Sequence, residues 1–504
     1  MEGKNFKNPK LEYGPDVRWW LAEGMHTDQT LKHDLDLLKE SGFGAVEFLA
    51  MDDLGADDAL YGWGSEEWVH DSQLLFEETT KRGMGVSTTC GTNWSNCNLT
   101  SITPDDKAAA KELDYEIELL KAGESRNGKI PECTLKMPGV TKQELVAVVA
   151  VRDLGVKENG KHYLDKESAI VLTGQVKDNC LEFRAPEDGD YLLFFFWIHG
   201  TGQTAGPSAS ISYTVNYMDR YGIEAFKEYW DKEVITPKLQ KTLEENGRAM
   251  MYMDSLELST FAKGGQLWGY TFLDEFRERR GYDLTPYLPF IVKKAGMGIA
   301  VDDYHYYMED AVFAEKLYND TYQTTTDMYM YNMMKPMKEW CNQHHMWLRS
   351  EISYGLPFEI SQPGKYVDDV ETESLEFASQ IDSYRGLAGT AHVYNRLYSS
   401  ETGAVMMNYK LPLDFYNQII YTQFAAGVTK TVLHGYSSIA GSDEATYWPG
   451  HEGMWPMFSE RFGSRQPAYR HYHDWTAMLA RYQMMLRAGK PRMDLAMLRL
   501  DYNF

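Results

Sequence analysis

Met250-Met251-Tyr252-Met253-Asp254-Ser255-Leu256-Glu257-Leu258 is the stretch from which the fold can be read. Four mostly apolar residues run directly into two acids. A short apolar run with polar ends suits a strand covered on both faces, and such strands belong to parallel sheets. Carboxylates just past the C-terminal end of such a strand stand where barrel enzymes keep their chemistry. An isolated Asp-Ser-x-Glu also suits a helix cap, with Asp254 capping and Glu257 facing solvent. The flanking sequence decides between the two.

Upstream, Val17–Leu21 reads as a first strand and Gly44–Leu49 as a second. Between them Thr27-Asp28 opens a helix with Leu31, Leu35 and Leu38 on one face and Gly42 as its stop. A helix over Glu66–Arg82 leads to a third strand, Gly85–Cys90. Alternating strands and helices imply right-handed crossovers and a parallel sheet. Downstream, strands are predicted at Met346–Arg349, near Val367–Glu373, at Leu397–Glu401 and at Lys430–Gly435. With Met250–Met253 the count is eight. The predicted class is α/β, a (β/α)8 TIM barrel.

Between Thr103 and Val215 the pattern alternates with period two, as in Glu144–Val149, Ala169–Leu172, Leu181–Arg184 and Tyr191–Phe196. This predicts an inserted antiparallel β-sandwich-like domain, dividing the chain into barrel (1–102), insert (103–215) and remaining barrel (216–504). Gly200-Thr201-Gly202 lies in no strand-to-helix unit and reads as a turn, not a phosphate cradle. A helical tract from Asp310 to His344 is expected to break at Pro336.

Composition narrows the function. The 504 residues carry 50 Lys+Arg against 74 Asp+Glu, a formal charge of −24, which opposes binding to nucleic acid or to anionic membranes. No window approaches the ~18 apolar residues of a membrane span, and the first residues carry no apolar export core, so a cytoplasmic protein is expected. Cys90, Cys97, Cys133, Cys180 and Cys341 form no C-x-x-C pair and read as reduced thiols. His471-Tyr472-His473 falls in a terminal helical stretch and reads as structural, not as a metal pair. H-E-x-x-H, G-x-S-x-G and Walker sequences are absent from the chain. Aromatic residues make up 13% of it. Trp94 and Trp197 are candidates for stacking on sugar or for core packing, with core favoured for Trp197.

In this register Glu47, Asn93, Asp254, Glu257, Arg349, Glu351, Glu401 and His434 fall just past strand ends. Carboxylates from different strands of one barrel mouth fit glycoside hydrolysis, in which one acid protonates the leaving oxygen and one carboxylate activates water or attacks the sugar. Some of these groups are equally suited to structural ion pairs.

The residues also resemble a known family. Phe6-Lys7-Asn8-Pro9, Val17-Arg18-Trp19-Trp20 and Gly42–Glu47 look like the opening of glycoside hydrolase family 106, the α-L-rhamnosidase-type enzymes. Asp254-Ser255-Leu256-Glu257 with Phe276–Leu284 resembles its middle. Arg349, Tyr354-Gly355, Glu376-Phe377, Ala391-His392-Val393-Tyr394, Ser400-Glu401 and Leu433–Tyr436 resemble its later barrel. The resemblance implies an inverting, calcium-assisted hydrolysis of terminal α-L-rhamnosides, with Glu257 as acid and Glu401 as base. Trp19, Glu47, Asn93, Trp94, Asp254, Arg349, Tyr354, His392 and His434 are then expected on the carbohydrate, and Glu351 and Glu376 on Ca2+. Family members usually continue into C-terminal β domains, whereas this chain stops soon after the last barrel helix, so association into a homo-oligomer is a further expectation. A non-catalytic glycan-binding barrel, or a glycosidase for another sugar, is the alternative.

Overall fold

The computed structural model describes residues 6–51, 56–93, 96–206, 208–296, 303–352, 358–375, 377–405, 411–437, 462–464 and 466–498. Eight parallel strands close into a barrel: β1 (Asp16–Ala22), β2 (Ala45–Met51), β3 (Gly85–Thr89), β4 (Ala249–Met253), β5 (Met346–Glu351), β6 (Asp369–Glu373), β7 (Leu397–Thr402) and β8 (Lys430–Ser437). Each strand pairs with its neighbours in chain order, and β8 closes on β1. The helices between them obey local rules. Thr27 caps Asp28–Glu40 by accepting from the Thr30 amide, and Ser65 caps Glu66–Lys81 through the Trp68 amide. Phe272–Arg280 ends on Gly281, whose φ of 80° lies in the left-handed region glycine enters most readily.

Strand alternation gives this barrel two different cores. Outward residues such as Val17, Trp19, Val46, Met251, Leu348 and Val370 pack under the helices as one continuous apolar cluster. Inward residues include Asp16, Arg18, Glu47, Tyr252, Arg349, Asp369, Glu371 and Lys430, all buried. Charges withdrawn from water in this way must be matched with one another, and the register arranges it. Arg18 stands beside Glu47 on β2, and Arg349 beside Asp369 on β6.

The additional domain is an antiparallel sheet spatially ordered Gln266–Trp268, Lys111–Leu120, Tyr191–Gly200, Gln143–Val156 and His162–Val171. Alternation buries both of its faces. Phe194, Phe196 and Ile198 join the main core, while Leu193, Phe195 and Trp197 form a second cluster under the ribbon Ser125–Lys129/Cys180–Arg184. Trp197 is thus a core residue, its indole N–H donating to the Pro131 carbonyl. The edge strand Gln266–Trp268 comes from beyond β4, so the sheet draws on chain outside 103–215. The tract expected to break at Pro336 instead runs from Ala311–Met328 through a π-helical segment, Tyr329–Met334, into Lys335–Gln343, whose first turn holds the proline. The wider π spacing accommodates a residue that has no N–H to donate. Among the described residues no helix is long and apolar enough to cross a membrane, and the five cysteines are free thiols.

Candidate active site

The barrel's ionic interior rises toward its C-terminal mouth and ends there in acids. Arg18 on β1 is its lower support. Its Nε donates to Glu47 Oε1 at 2.6 Å, its Nη1 lies 3.3 Å from Asp254 Oδ2, and it contacts Glu401. Arg349 contacts Glu47 and sits 3.1 Å from Glu371 Oε2. The Tyr252 ring packs against both guanidiniums, 4.8 Å from Arg18 and 4.6 Å from Arg349. An electron-rich ring face attracts cations, and Glu47 bridges the two arginines. Lower still, Lys430 is held 2.6 Å from Asp16.

Above this support Asp254, Glu351 and Glu401 come together, with one oxygen of each within 4.8 Å of the others and all three residues buried. The Ser255 amide donates to Glu351 at 3.1 Å. Burial, then the neighbouring Asp254, Glu373 and Glu401, raise the Glu351 carboxyl well above the usual range. Glu401 is also raised, to about 8, first by burial, with Arg18 opposing and Asp254 and Glu371 adding to the rise. Three hard oxygen donors short of positive charge suit a cation such as Ca2+, which fills its remaining coordination with water or hydroxyl oxygens. No cysteine belongs to this cluster.

Glu257 stands apart from that group. Leu256 and Leu258 are both buried, so the side chain between them turns the other way and stays partly exposed. Burial first, and Asp254 second, raise its carboxyl to about 7. Glu257 thus keeps a proton near neutrality, while Glu401, raised further still by its burial, has the Arg18 guanidinium against it as the group that opposes the rise. His434 completes the rim, with Nε2 3.9 Å from Glu401 Oε1 and its ring 5.0 Å from Trp20.

Several groups expected at the substrate are elsewhere. Glu47 and Arg349 point inward but lie beneath the mouth, fully buried and bonded to other charges. Trp19 faces outward, packing on Tyr436 at 5.9 Å, because alternation along β1 puts it on the face opposite Arg18 and leaves Trp20 facing the rim. His392 lies in the last turn of the helix Ile381–Tyr394, beside Gly427, which puts it near the opposite end of the barrel. Asn93 is buried just past β3 with φ of 67°, its amide donating to Ala50 O at 2.7 Å. Trp94, Tyr354 and Glu376 lie outside the described residues. Arg18, Trp20, Tyr252 and Glu371 were missed from sequence. The period of two from Asp16 through Arg18 to Trp20 was the available signal, since Arg18 must share the inward face with them.

The profile of glycoside hydrolase family 106, alpha-L-rhamnosidase, matches residues 140–502. A protein of Formosa agariphila, provisionally named a beta-glucuronidase, is 22% identical over 456 residues, or 86% of this chain and 37% of its own length. The solved structure of a rhamnosidase from Novosphingobium sp. PP1Y has a TM-score of 0.68 at 14% identity, covering 97% of this chain and 60% of its own. The chain thus spans less than two thirds of either protein, and the structural likeness is one of fold.

Proposed function

Since this chain belongs to the alpha-L-rhamnosidase family of glycoside hydrolases, we propose that it removes terminal α-L-rhamnosyl residues from glycosides by an inverting mechanism with Glu257 as acid and Glu401 as base. The observation that carries this reading is the placement of two acids of the barrel mouth in different surroundings, Glu257 partly exposed beside Asp254 and Glu401 buried against Arg18. Glu257 sits between two buried leucines with its carboxyl raised to about 7, so a large fraction carries a proton to give to the leaving oxygen at neutral pH. Glu401 touches Arg18, which opposes the rise that burial imposes, and a cation bound beside it would favour further the carboxylate needed to draw a proton from water. An inverting pair stands ~6.5–9.5 Å apart, leaving room for that water.

Asp254 and Glu351 would hold a calcium ion. When bound, it would orient sugar hydroxyls as a Lewis acid and neutralise the acid cluster. Arg18 holds Asp254 and Glu401, and the Tyr252 ring packs against Arg18 and Arg349. His434 and Trp20 would border the sugar.

The name of the Formosa agariphila protein favours a second reading, hydrolysis of a hexuronide. Such a sugar needs a cation for its carboxylate, and because Arg18 and Arg349 are already bonded to Glu47, Asp254, Glu371 and Glu401, the calcium ion would have to supply it. Rhamnose, which carries a methyl group in place of a charge, makes no such demand. The deciding experiment is hydrolysis of nitrophenyl α-L-rhamnoside beside nitrophenyl β-D-glucuronide, with the anomer of the released sugar followed by NMR. Release of β-L-rhamnose first is expected. Release of glucuronate only, or of the α anomer first, would overturn the sugar or the stereochemistry, and binding without hydrolysis would point to a glycan-binding barrel.

A further inference from the structure

Glu257 lies on a stretch without regular secondary structure, yet its function as an acid requires its side chain to be aimed. Local bonds within the stretch are short-range, with Glu257 N–H donating to Ser255 O and Leu258 N–H to Leu256 O. They leave the Glu257 carbonyl and the Ser259 amide to be satisfied from elsewhere. Both find the same side chain. Gln203 Nε2 donates to the Glu257 carbonyl at 2.7 Å, and the Ser259 amide donates to Gln203 Oε1 at 2.9 Å.

One primary amide thus does what a neighbouring strand would do, accepting at one position and donating two residues away. Gln203 is itself fixed, for its carbonyl accepts from Thr214 N–H at 3.0 Å and its own N–H donates to Thr201 Oγ1 at 3.2 Å. It belongs to the inserted segment and not to the barrel. A second insert residue grips the same stretch a little further on, where Glu112 Oε2 accepts from the Phe261 and Ala262 amides at 2.6 and 2.9 Å.

We propose that Gln203 is a positioning residue for the general acid, through which the inserted domain fixes the aim of Glu257. This rests on the acid assignment made above. Gln203 touches the backbone at Glu257, so it changes no chemistry of its own. Its loss lets the carboxyl wander, and a misplacement near 1 Å at a catalytic group costs ~10²-fold in rate. A misaimed acid matters only when the leaving oxygen needs a proton, which gives the proposal a signature that simple destabilisation lacks.

The test compares two glycosides of the sugar the wild-type chain cleaves, one with a nitrophenol leaving group and one with an alkyl alcohol. Gln203→Ala and Gln203→Glu are measured beside Glu257→Gln, with thermal unfolding as the folding control. Gln203→Glu keeps an acceptor for Ser259 but sets an oxygen against the Glu257 carbonyl. We expect both Gln203 variants to lose kcat by ~10²-fold on the alkyl glycoside and by only a few-fold on the nitrophenyl one, with KM little changed. Equal losses on the two substrates, or none, in a folded variant overturn the proposal. If Glu257→Gln shows selective loss and the Gln203 variants do not, the positioning role alone fails. If Glu257→Gln itself shows no dependence on the leaving group, the acid assignment fails and the proposal with it.

Discussion

Arg18 and Glu47 form an ion pair in the barrel interior, with Nε 2.6 Å from Oε1 and neither side chain in contact with solvent. Glu47 reads in sequence as a sugar-binding acid at a strand end. In the structure it anchors the arginine that reaches both Asp254 and Glu401. Removing one partner of such a pair leaves a buried charge unmatched, so Glu47→Ala should lose ~3–5 kcal/mol in urea unfolding. A loss below ~1 kcal/mol would show that water or another acid replaces it easily.

Tyr252 separates two different contributions. Among the described residues its hydroxyl has no hydrogen-bond partner, whereas its ring lies against both Arg18 and Arg349. Tyr252→Phe should therefore unfold within ~1 kcal/mol of wild type. Tyr252→Leu loses the ring face against the two cations and should be less stable than Tyr252→Phe by ~2 kcal/mol or more. Equal stability of the two variants would remove the ring from the argument.

The pH dependence follows from the direction of the Glu257 shift. An acid catalyst acts only when protonated, and burial lifts Glu257 from its ordinary value to about 7. Activity should fall as pH rises through that value, and the basic limb of the kcat/KM profile should vanish in Glu257→Gln measured on an activated substrate. Glu401, as base, acts only when deprotonated, and burial raises it to about 8 in the ion-free protein; its limb moves to the acid side when a cation binds beside it, and activity then falls as pH is lowered. The acids at the mouth titrate together, and the two limbs belong to the group. A basic limb that persists unchanged in Glu257→Gln would assign it to another residue.

Calcium should be retained by the purified protein and removed slowly by EGTA, with loss of thermal stability as well as activity. Asp254→Asn and Glu351→Gln should each weaken binding in a calcium titration followed by calorimetry. A chelated protein that unfolds at the same temperature as the untreated one, with no ion detected by mass spectrometry of the native protein, would rule the ion out.

The fold was legible because its signals are local. Each of the eight predicted strands overlaps an observed one, and caps such as Thr27 and stops such as Gly281 fall where short-range chemistry requires them. The weakest strand is instructive. Asp369-Val370-Glu371-Thr372-Glu373 resembles a solvent-facing strand because its inward positions meet Arg349 and Lys430, not an apolar core. In a barrel with an ionic interior, hydropathy loses its usual meaning. Site residues were harder for a related reason. Whether a polar residue on a strand is at the mouth or one layer below depends on register, which put Glu401 with Asp254 but Glu47 and Arg349 beneath them. Trp20 in place of Trp19 was within reach, since alternation from Asp16 through Arg18 carries it to the inward face.

The strand Gln266–Trp268 has an implication for how this chain can be taken apart. It pairs with Lys111–Leu120, although barrel strand β4 separates the two in the chain. The sheet is therefore stitched to the barrel by chain on both sides of β4 and is not a detachable cassette. Excising 103–215 would strip Gln266–Trp268 of its partner and leave an open edge ready to pair with another molecule. A recombination event, natural or engineered, that seeks to exchange this module intact must carry barrel sequence as far as residue 268 with it, and so must carry Glu257 as well.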